Sequence, residues 1–399
     1  IRDCLLRHRS VFANDLSSKR KIDCPPVHLV RKPGVELPPK VKRARLTPAH
    51  YRPRAKAIIE KMLAAGVLVT VDEVTPAVSA GFFVKKPRGD GIRFVADYTG
   101  VNKALERPPQ HFPAPEEVWQ RVTPGSEFFI AADLAAGYWQ CELDEESSLL
   151  STCLTEFGKV RFTRLPMGIS SSGDYFNQAT DKVIDGMKDI VKEVDDVLMF
   201  SSTLEGVAQN LEELLTRFEK NNVTLAPKKF QFGDQVLFAG MRVTKDGCAP
   251  DPARMEAIKQ YPCPQTRSQV RQLLGLVQQF SRWVPDMAPA TVSIRALLRK
   301  NSAFVWSPEC QAEFVQIKSI LSDDRYNRPF DPTLDTELLV DTSKVSGCGY
   351  ILLQRRPDGG VNIVRCGSVA AQRGWAGMSP IESECTGIGW AVQHCGYYL

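Results

Sequence analysis

The sequence predicts an α+β chain of two or three domains, on three observations. Stretches rich in β-branched and aromatic residues, bounded by glycine and proline, read as strands at 81–86, 92–98, 127–133 and 236–244. Stretches with apolar residues at helical spacing alternate with them, at 47–66, 204–220 and 266–284. At 399 residues the chain exceeds one ordinary core, and from Glu337 a second α/β unit begins.

Composition narrows the class. With 43% hydrophobic and 24% charged residues and no apolar run long enough to span a bilayer, it is that of a globular protein with no membrane partner. Eleven dispersed cysteines, never spaced Cys-x-x-Cys, argue against a zinc finger and a disulfide scaffold; reduced thiols in an intracellular compartment are expected. The chain begins Ile1-Arg2-Asp3-Cys4, without a signal peptide or an initiator Met, and is expected to be a fragment of a longer polypeptide. The net charge of +5 is modest, but basic residues dominate from Lys19 to Lys61, which suits a polyanion as well as a solvated face.

In chain order, residues 1–45 are rich in proline and charge and read as an extended arm wrapping a later domain. A helix follows, with Thr47 as cap, Pro48 in its first turn, an apolar face through Ile58, Ile59, Met62 and Leu63, and Gly66 closing it. The strands at 81–86 and 92–98 are joined by a glycine-bearing turn, so Lys86 and Arg93 flank one hairpin, either to grip a phosphate or as exposed strand charges. The next strand, 127–133, ends in Asp133 after an apolar run, and buried carboxylates are rare without a partner or a metal. Small residues after it leave room beside the carboxylate, and Tyr138 is expected to border the same cavity. A serine run opens a helix from Asp174 to Met187.

In Val194-Asp195-Asp196, flanked by Ile190-Val191 and Val197-Leu198-Met199-Phe200, two carboxylates sit on a turn between strands. Adjacent like charges favour a hard cation or a solvated hairpin tip, and these residues alone leave both open. Beyond it come a helix at 204–220, strands at 236–244, a turn at Asp246-Gly247, and a helix at 266–284 with Arg267, Arg271 and Arg282 outside its apolar side. The last unit offers a strand-borne Asp341 and a helix-borne Glu384, with a helix near 382–398.

Taken together these residues resemble the reverse transcriptases of gypsy-type LTR retrotransposons and retroviral Pol. The resemblance rests on Val84-Lys85-Lys86, Arg93, Asp97-Tyr98 with Val101-Asn102-Lys103, then Asp133-Leu134 with Gly137-Tyr138 and Gln140. It continues through Leu165-Pro166-Met167-Gly168 with Phe176, Val194-Asp195-Asp196 with Phe200-Ser201, and Phe238-Ala239-Gly240. It implies a right-hand polymerase of fingers, palm and thumb with a connection and a partial RNase H-like α/β unit. The implied division is an arm at 1–45, fingers at 46–127, palm at 128–247 with a fingers insertion around 149–164, thumb and connection at 248–327, and the RNase H-like unit at 328–399.

The implied activity is RNA- and DNA-templated DNA synthesis from dNTPs at a primer 3′-hydroxyl, in retroelement replication. Asp133, Asp195 and Asp196 would be the catalytic, metal-binding acids for two Mg²⁺ ions, with Mn²⁺ as a substitute. Lys86 and Arg93 would clamp the triphosphate, Tyr138 would exclude a ribose 2′-hydroxyl, Met167 would border the nucleotide, and Phe238, Ala239 and Gly240 would form the primer grip. Implied partners are an RNA template, a DNA primer, their hybrid and a homodimer mate, in cytoplasmic virus-like particles and the nucleus.

Glu193 and Thr99 depart from the family pattern, the latter removing an ion pair, and the chain stops before the last two RNase H acids, so no independent RNase H activity is expected. A rival reading is a catalytically decayed or domesticated element that binds nucleic acid or scaffolds other molecules.

Overall fold

In the computed structural model the described residues are 1–13, 20–86, 91–110, 115–285, 287–299, 303–320, 326–344, 347–371 and 374–399. The turn at 87–90 and Lys19 lie outside them. Two compact units emerge, one of residues 1–114, 130–199 and 203–231, the other of 115–129, 200–202 and 232–399.

The first unit contains a five-stranded sheet in the order Leu68–Thr70, Gly158–Phe162, Cys153–Thr155, Ser79–Lys85, Ile92–Asp97. Its last two strands form the expected antiparallel hairpin, with Val84 opposite Arg93 and Lys85 opposite Ile92. A helix, Arg52–Ala64, packs Ala55, Ile59 and Met62 inward, and Gly66 closes it at φ +68°, where a side chain would be strained. Its start corrects the sequence reading. Residues 49–51 form a 3-10 turn, so the helix begins after Tyr51, while the Thr47 amide donates to Glu156 at 3.0 Å.

A second sheet orders its strands Ile190–Glu193, Asp196–Ser201, Phe128–Asp133, Gln231–Gly233. The two middle strands are buried along nearly their whole length, which is why both read as continuous apolar runs rather than as alternating ones. The helix Leu204–Lys220 matches its expected span and buries Val207, Leu211, Leu214, Leu215 and Phe218. Each such side chain contributes about 1.5–3 kcal/mol of transfer free energy. The N-terminal arm runs along the same unit: the Ile22 amide donates to the Gln140 carbonyl at 2.9 Å, and the Val27 amide to Glu142 at 2.7 Å. It opens with a short helix, Arg2–Arg7, that its charge-rich composition did not announce.

The second unit contains two antiparallel three-stranded sheets. In the first, Gln235–Phe238 and Met241–Thr244 meet at a two-residue tip, Ala239 at φ +49° and Gly240 at φ +75°, the double left-handed geometry of a type I′ hairpin. A third strand, Gly247–Pro250, follows where a change to helical composition is expected; Gly247 is required at φ +126°, since a Cβ there would lie 2.4 Å from the Asn327 carbonyl oxygen. The helix expected over 266–284 is shorter, Arg267–Gln278, capped by Thr266 and burying Val270, Leu273, Leu274 and Val277. Arg282 therefore lies off that helix, over the Trp283 ring at 5.1 Å.

The last sheet, Asp335–Ser343, Gly347–Arg355 and Val361–Ala370, packs a core of Tyr350, Leu352 and Val364 against Ala391 and Cys395 of the helix Pro380–Cys395. That helix starts at a capping box between Ser379 and Glu382. No helix among the described residues is long and apolar enough to cross a membrane.

Candidate active site

Strand order places the acids together. Asp133 ends one central strand and Asp196 begins its neighbour, while the Leu134 amide donates to the Asp195 carbonyl at 2.8 Å. Asp195 sits in the two-residue tip between Glu193 and Asp196, which pair across the hairpin. The other tip residue, Val194, takes φ +54°, a conformation that a β-branched side chain adopts only under strain, of the order of 1–3 kcal/mol.

Asp133 is 8% exposed. Burial, then the charges of Asp195 and Asp133 and a hydrogen bond with Asp133, push Asp196 up to about 7. Burial and Asp133 also raise Asp195, against Lys229 and Lys192, which lower it. A cation meets the cluster directly: Lys229 Nζ lies 2.6 Å from Asp133 Oδ2.

Tyr138 borders this cluster as expected. It lies in the 3-10 turn Gly137–Gln140, entered through Ala136 at φ +53°, and its ring meets Phe176 edge-on at 5.3 Å between centroids. Gly137 supplies the room: a Cβ there would come to 3.0 Å from Phe176 and 3.5 Å from Asp195. Burial, then the charges of Asp195 and Asp174, raise the Tyr138 phenol above its usual range. Gln140, buried, ties this turn to residue 224, donating to the Ala135 and Thr224 carbonyls and accepting from the Thr224 amide at 2.8 Å.

Met167 is half exposed, on a loop with Gly168 at φ +95°. Asn102 brackets that loop, donating to the Gly168 carbonyl at 2.8 Å and accepting from the Ser170 amide at 2.9 Å. Lys86 and Arg93 are both exposed; strand alternation puts Lys86 on the face of Val84, opposite which Arg93 stands. Beside Thr99, Arg45 faces Asp97 at 3.6 Å.

In the second unit, Gly240 packs against the Arg254 guanidinium, which a Cβ would approach to 2.4 Å. Asp341 lies on the face of its strand shared by Leu339 and Ser343, lining a groove of about 530 Å³, whereas Val340 packs toward the helix core. Glu384 is exposed on that helix. Among the described residues no three acidic, histidine or cysteine side chains converge as a metal site; at the first cluster Lys229 takes one of the Asp133 oxygens.

Two site residues escaped the sequence reading. Lys229 follows Pro227-Lys228 in a 3-10 turn whose preceding residue, Ala226, donates its amide to the Asp133 carbonyl at 2.8 Å. Its signal was a basic pair just after a proline. Lys192, 4% exposed, reaches Asn177 at 2.9 Å, Asp181 at 3.0 Å and the Val194 carbonyl at 3.3 Å. A lysine inside an apolar strand was the available sign.

The family described as "Reverse transcriptase (RNA-dependent DNA polymerase)" matches residues 84–243, and "RNase H-like domain found in reverse transcriptase" matches 306–399. The retrovirus-related Pol polyprotein from transposon 412 of Drosophila melanogaster is 28% identical over 310 residues, 77% of this chain and 25% of that polyprotein. That from transposon 297 of the same organism is 26% identical, over 79% of this chain and 30% of the polyprotein. The transposon Tf2-3 polyprotein of Schizosaccharomyces pombe is 25% identical, over 79% and 24%. The chain thus spans about a quarter to three tenths of these relatives. In fold it is similar to the foamy viral protease-reverse transcriptase in complex with RNA/DNA hybrid, with a TM-score of 0.87 at 18% identity over 98% of this chain and 52% of that one. The same viral protein with dsDNA gives a TM-score of 0.84 at 18% identity, over 98% and 80%.

Proposed function

We propose that this chain, whose residues 84–243 match the reverse transcriptase family model and whose similar relatives are Pol polyproteins, extends a DNA primer on RNA and DNA templates, using dNTPs, in retroelement replication. The observation that carries this reading is the gathering of Asp133, Asp195 and Asp196 from two adjacent strands beside Tyr138.

The acids fit a divalent cation. Burial, then the charges of Asp195 and Asp133, push Asp196 up to about 7, a cost that a cation would relieve, and oxygen-only donors suit Mg²⁺, with Mn²⁺ as substitute. Two ions held by Asp133, Asp195 and Asp196 would acidify the primer 3′-hydroxyl and balance charge on the triphosphate and its leaving pyrophosphate. Lys229 keeps the three carboxylates together and leaves a cation beside the phosphates. Lys86 and Arg93, exposed on one hairpin face, neutralise the triphosphate. Tyr138, fixed edge-on by Phe176, presents its ring where a ribose 2′-hydroxyl would collide, and Met167 lies beside the nucleotide. The type I′ tip at Ala239 and Gly240, with Phe238, grips the primer strand. On this reading 46–127 are the fingers, 128–247 the palm and 248–327 the thumb and connection. The RNA/DNA hybrid and dsDNA bound by the similar viral protein support the same two duplexes as partners here.

Primer extension on an RNA template tests the reading. The unaltered chain extends with Mg²⁺, and Asp195→Asn slows extension by more than about a hundredfold. Equal rates for the two would remove the acid cluster from the reaction, and no extension by the unaltered chain with either Mg²⁺ or Mn²⁺ would favour the non-catalytic rival.

A further inference from the structure

An ion pair fastens the helix that carries Phe176. The Arg107 guanidinium grips Asp174 as a fork, Nε donating to Oδ2 at 2.8 Å and a terminal nitrogen to Oδ1 at 3.3 Å. The Asp174 side chain is 1% exposed and that of Arg107 58%, so the bond joins the surface to the interior. Asp174 lies in the first turn of the helix Ser172–Ile184, and two residues on is Phe176, whose ring meets Tyr138 edge-on at 5.3 Å.

The usual cap is missing at that helix start. Among the described residues the N-cap, Ser171, makes no side-chain cap, and its hydroxyl is buried without a hydrogen-bond partner. The first turn is tied instead to the N-terminal arm. Tyr175 donates its hydroxyl to the His28 carbonyl at 2.8 Å, and Arg107 is brought up by a segment paired with the arm, the Glu106 amide donating to the Val30 carbonyl at 2.8 Å and the Lys32 amide to the Ala104 carbonyl at 2.9 Å.

We propose that Arg107 and Asp174 are specificity-determining positioning residues: their ion pair fixes the start of the helix whose Phe176 backs Tyr138, and so sets how closely the tyrosine ring meets the sugar of an incoming nucleotide.

A buried carboxylate needs its cation. Without the guanidinium, Asp174 is relieved by turning toward water, which rotates the first turn of the helix and carries Phe176 with it. Phe176 packs tightly against the turn of Tyr138, since a Cβ on Gly137 would come to 3.0 Å from its ring. Displacement of Phe176 therefore lets the Tyr138 ring yield to a ribose 2′-hydroxyl. The bidentate geometry matters as well as the charge, because a planar fork fixes the carboxylate in direction and an ammonium does not.

Since this role rests on Tyr138 as the proposed sugar gate, Tyr138→Ala runs in the same experiment. Primer extension on an RNA template with Mg²⁺ is measured for a dNTP and for the matching ribonucleotide. Arg107→Gln and Asp174→Asn are each expected to lower discrimination about five- to tenfold, mainly through a lower KM for the ribonucleotide, with Arg107→Lys falling between. Combined with Tyr138→Ala, neither is expected to lower it further, because the pair acts through that ring. Arg107→Gln replaces a largely exposed side chain, so it reports even where Asp174→Asn does not fold. In the free chain Arg107→Gln is also expected to quicken hydrogen exchange at the amides of residues 175–177. Unchanged discrimination or exchange in Arg107→Gln, with Tyr138→Ala relaxed, would overturn the positioning role alone, as would an effect that adds to that of Tyr138→Ala. A ratio that Tyr138→Ala leaves unmoved, or no extension by the unaltered chain, would remove the sugar gate and this role together.

Discussion

At the scale of single residues the site is a problem in charge. Burial, then the charges of neighbouring carboxylates, raises the cost of ionising Asp195 and Asp196, and the Lys229 ammonium, bound to Asp133, offsets part of it. Lys229→Ala should therefore destabilise the metal-free chain, lowering its melting temperature by about 2–4 °C, with added Mg²⁺ restoring the difference. A calorimetric scan with and without metal checks this; an unchanged melting temperature without Mg²⁺ would mean that the contact is energetically idle. Tyr138 makes a separate prediction. Its ring position depends on Gly137 and Phe176 rather than on the acids, so Tyr138→Ala should relax discrimination against ribonucleotides by about tenfold or more while retaining dNTP incorporation. Competition between the two nucleotide types in one extension reaction reads it directly.

At the scale of elements, what matters is how the hairpin bearing Val194 and Asp195 is braced. Its tip is strained, and Lys192 holds it from behind, bonding the Val194 carbonyl on one side and Asn177 and Asp181 of the helix Ser172–Ile184 on the other. Removal of a buried cation leaves these acceptors unsatisfied, at about 1–3 kcal/mol for each group cut off from water. Lys192→Met should lower kcat about tenfold or more with little change in the KM for dNTP, and Lys192→Arg should recover part of the loss. A rise in KM alone would assign Lys192 to nucleotide binding instead. Helix caps give a simpler expectation: Thr203 accepts from the Gly206 amide at 3.1 Å, so Thr203→Ala should cost about 1 kcal/mol in urea unfolding.

At the scale of the whole molecule the N-terminal arm is fastened by titratable groups. Burial opposes charging of His8, but hydrogen bonds to Glu219 and Glu212 outweigh it and raise its pKa. Hydrogen bonds from Arg7, Cys4 and His8 lower Glu212 to about 2. The signs differ. His8, raised on folding, contributes in full below its unfolded value of about 6.5 and loses the contribution as pH rises through its higher folded value. Glu212, lowered on folding, contributes in full above about 4.5 and loses it as pH falls toward 2. Hydrogen-exchange protection of residues 2–12 should therefore peak between about pH 4.5 and 6.5, and His8→Gln should flatten the alkaline side.

The sequence by itself determined the elements whose signal is local. The apolar stripe of the helix Leu204–Lys220, the glycine closing the helix Arg52–Ala64, and the paired acids between two apolar runs were all legible, because each depends on spacing along the chain. Even Asp133 stood out, since a carboxylate ending an apolar strand needs a partner. What that partner is, only the tertiary structure decided: Lys229 lies ninety-six residues away, and the basic pair after a proline that contains it does not name Asp133 as its partner. The same holds for Lys192 beneath the hairpin tip and for Arg45 facing Asp97. Spacing records how a segment folds onto itself. Coulomb energy and burial act through space, so the partners that settle a charge are set by which strands and loops the fold brings side by side.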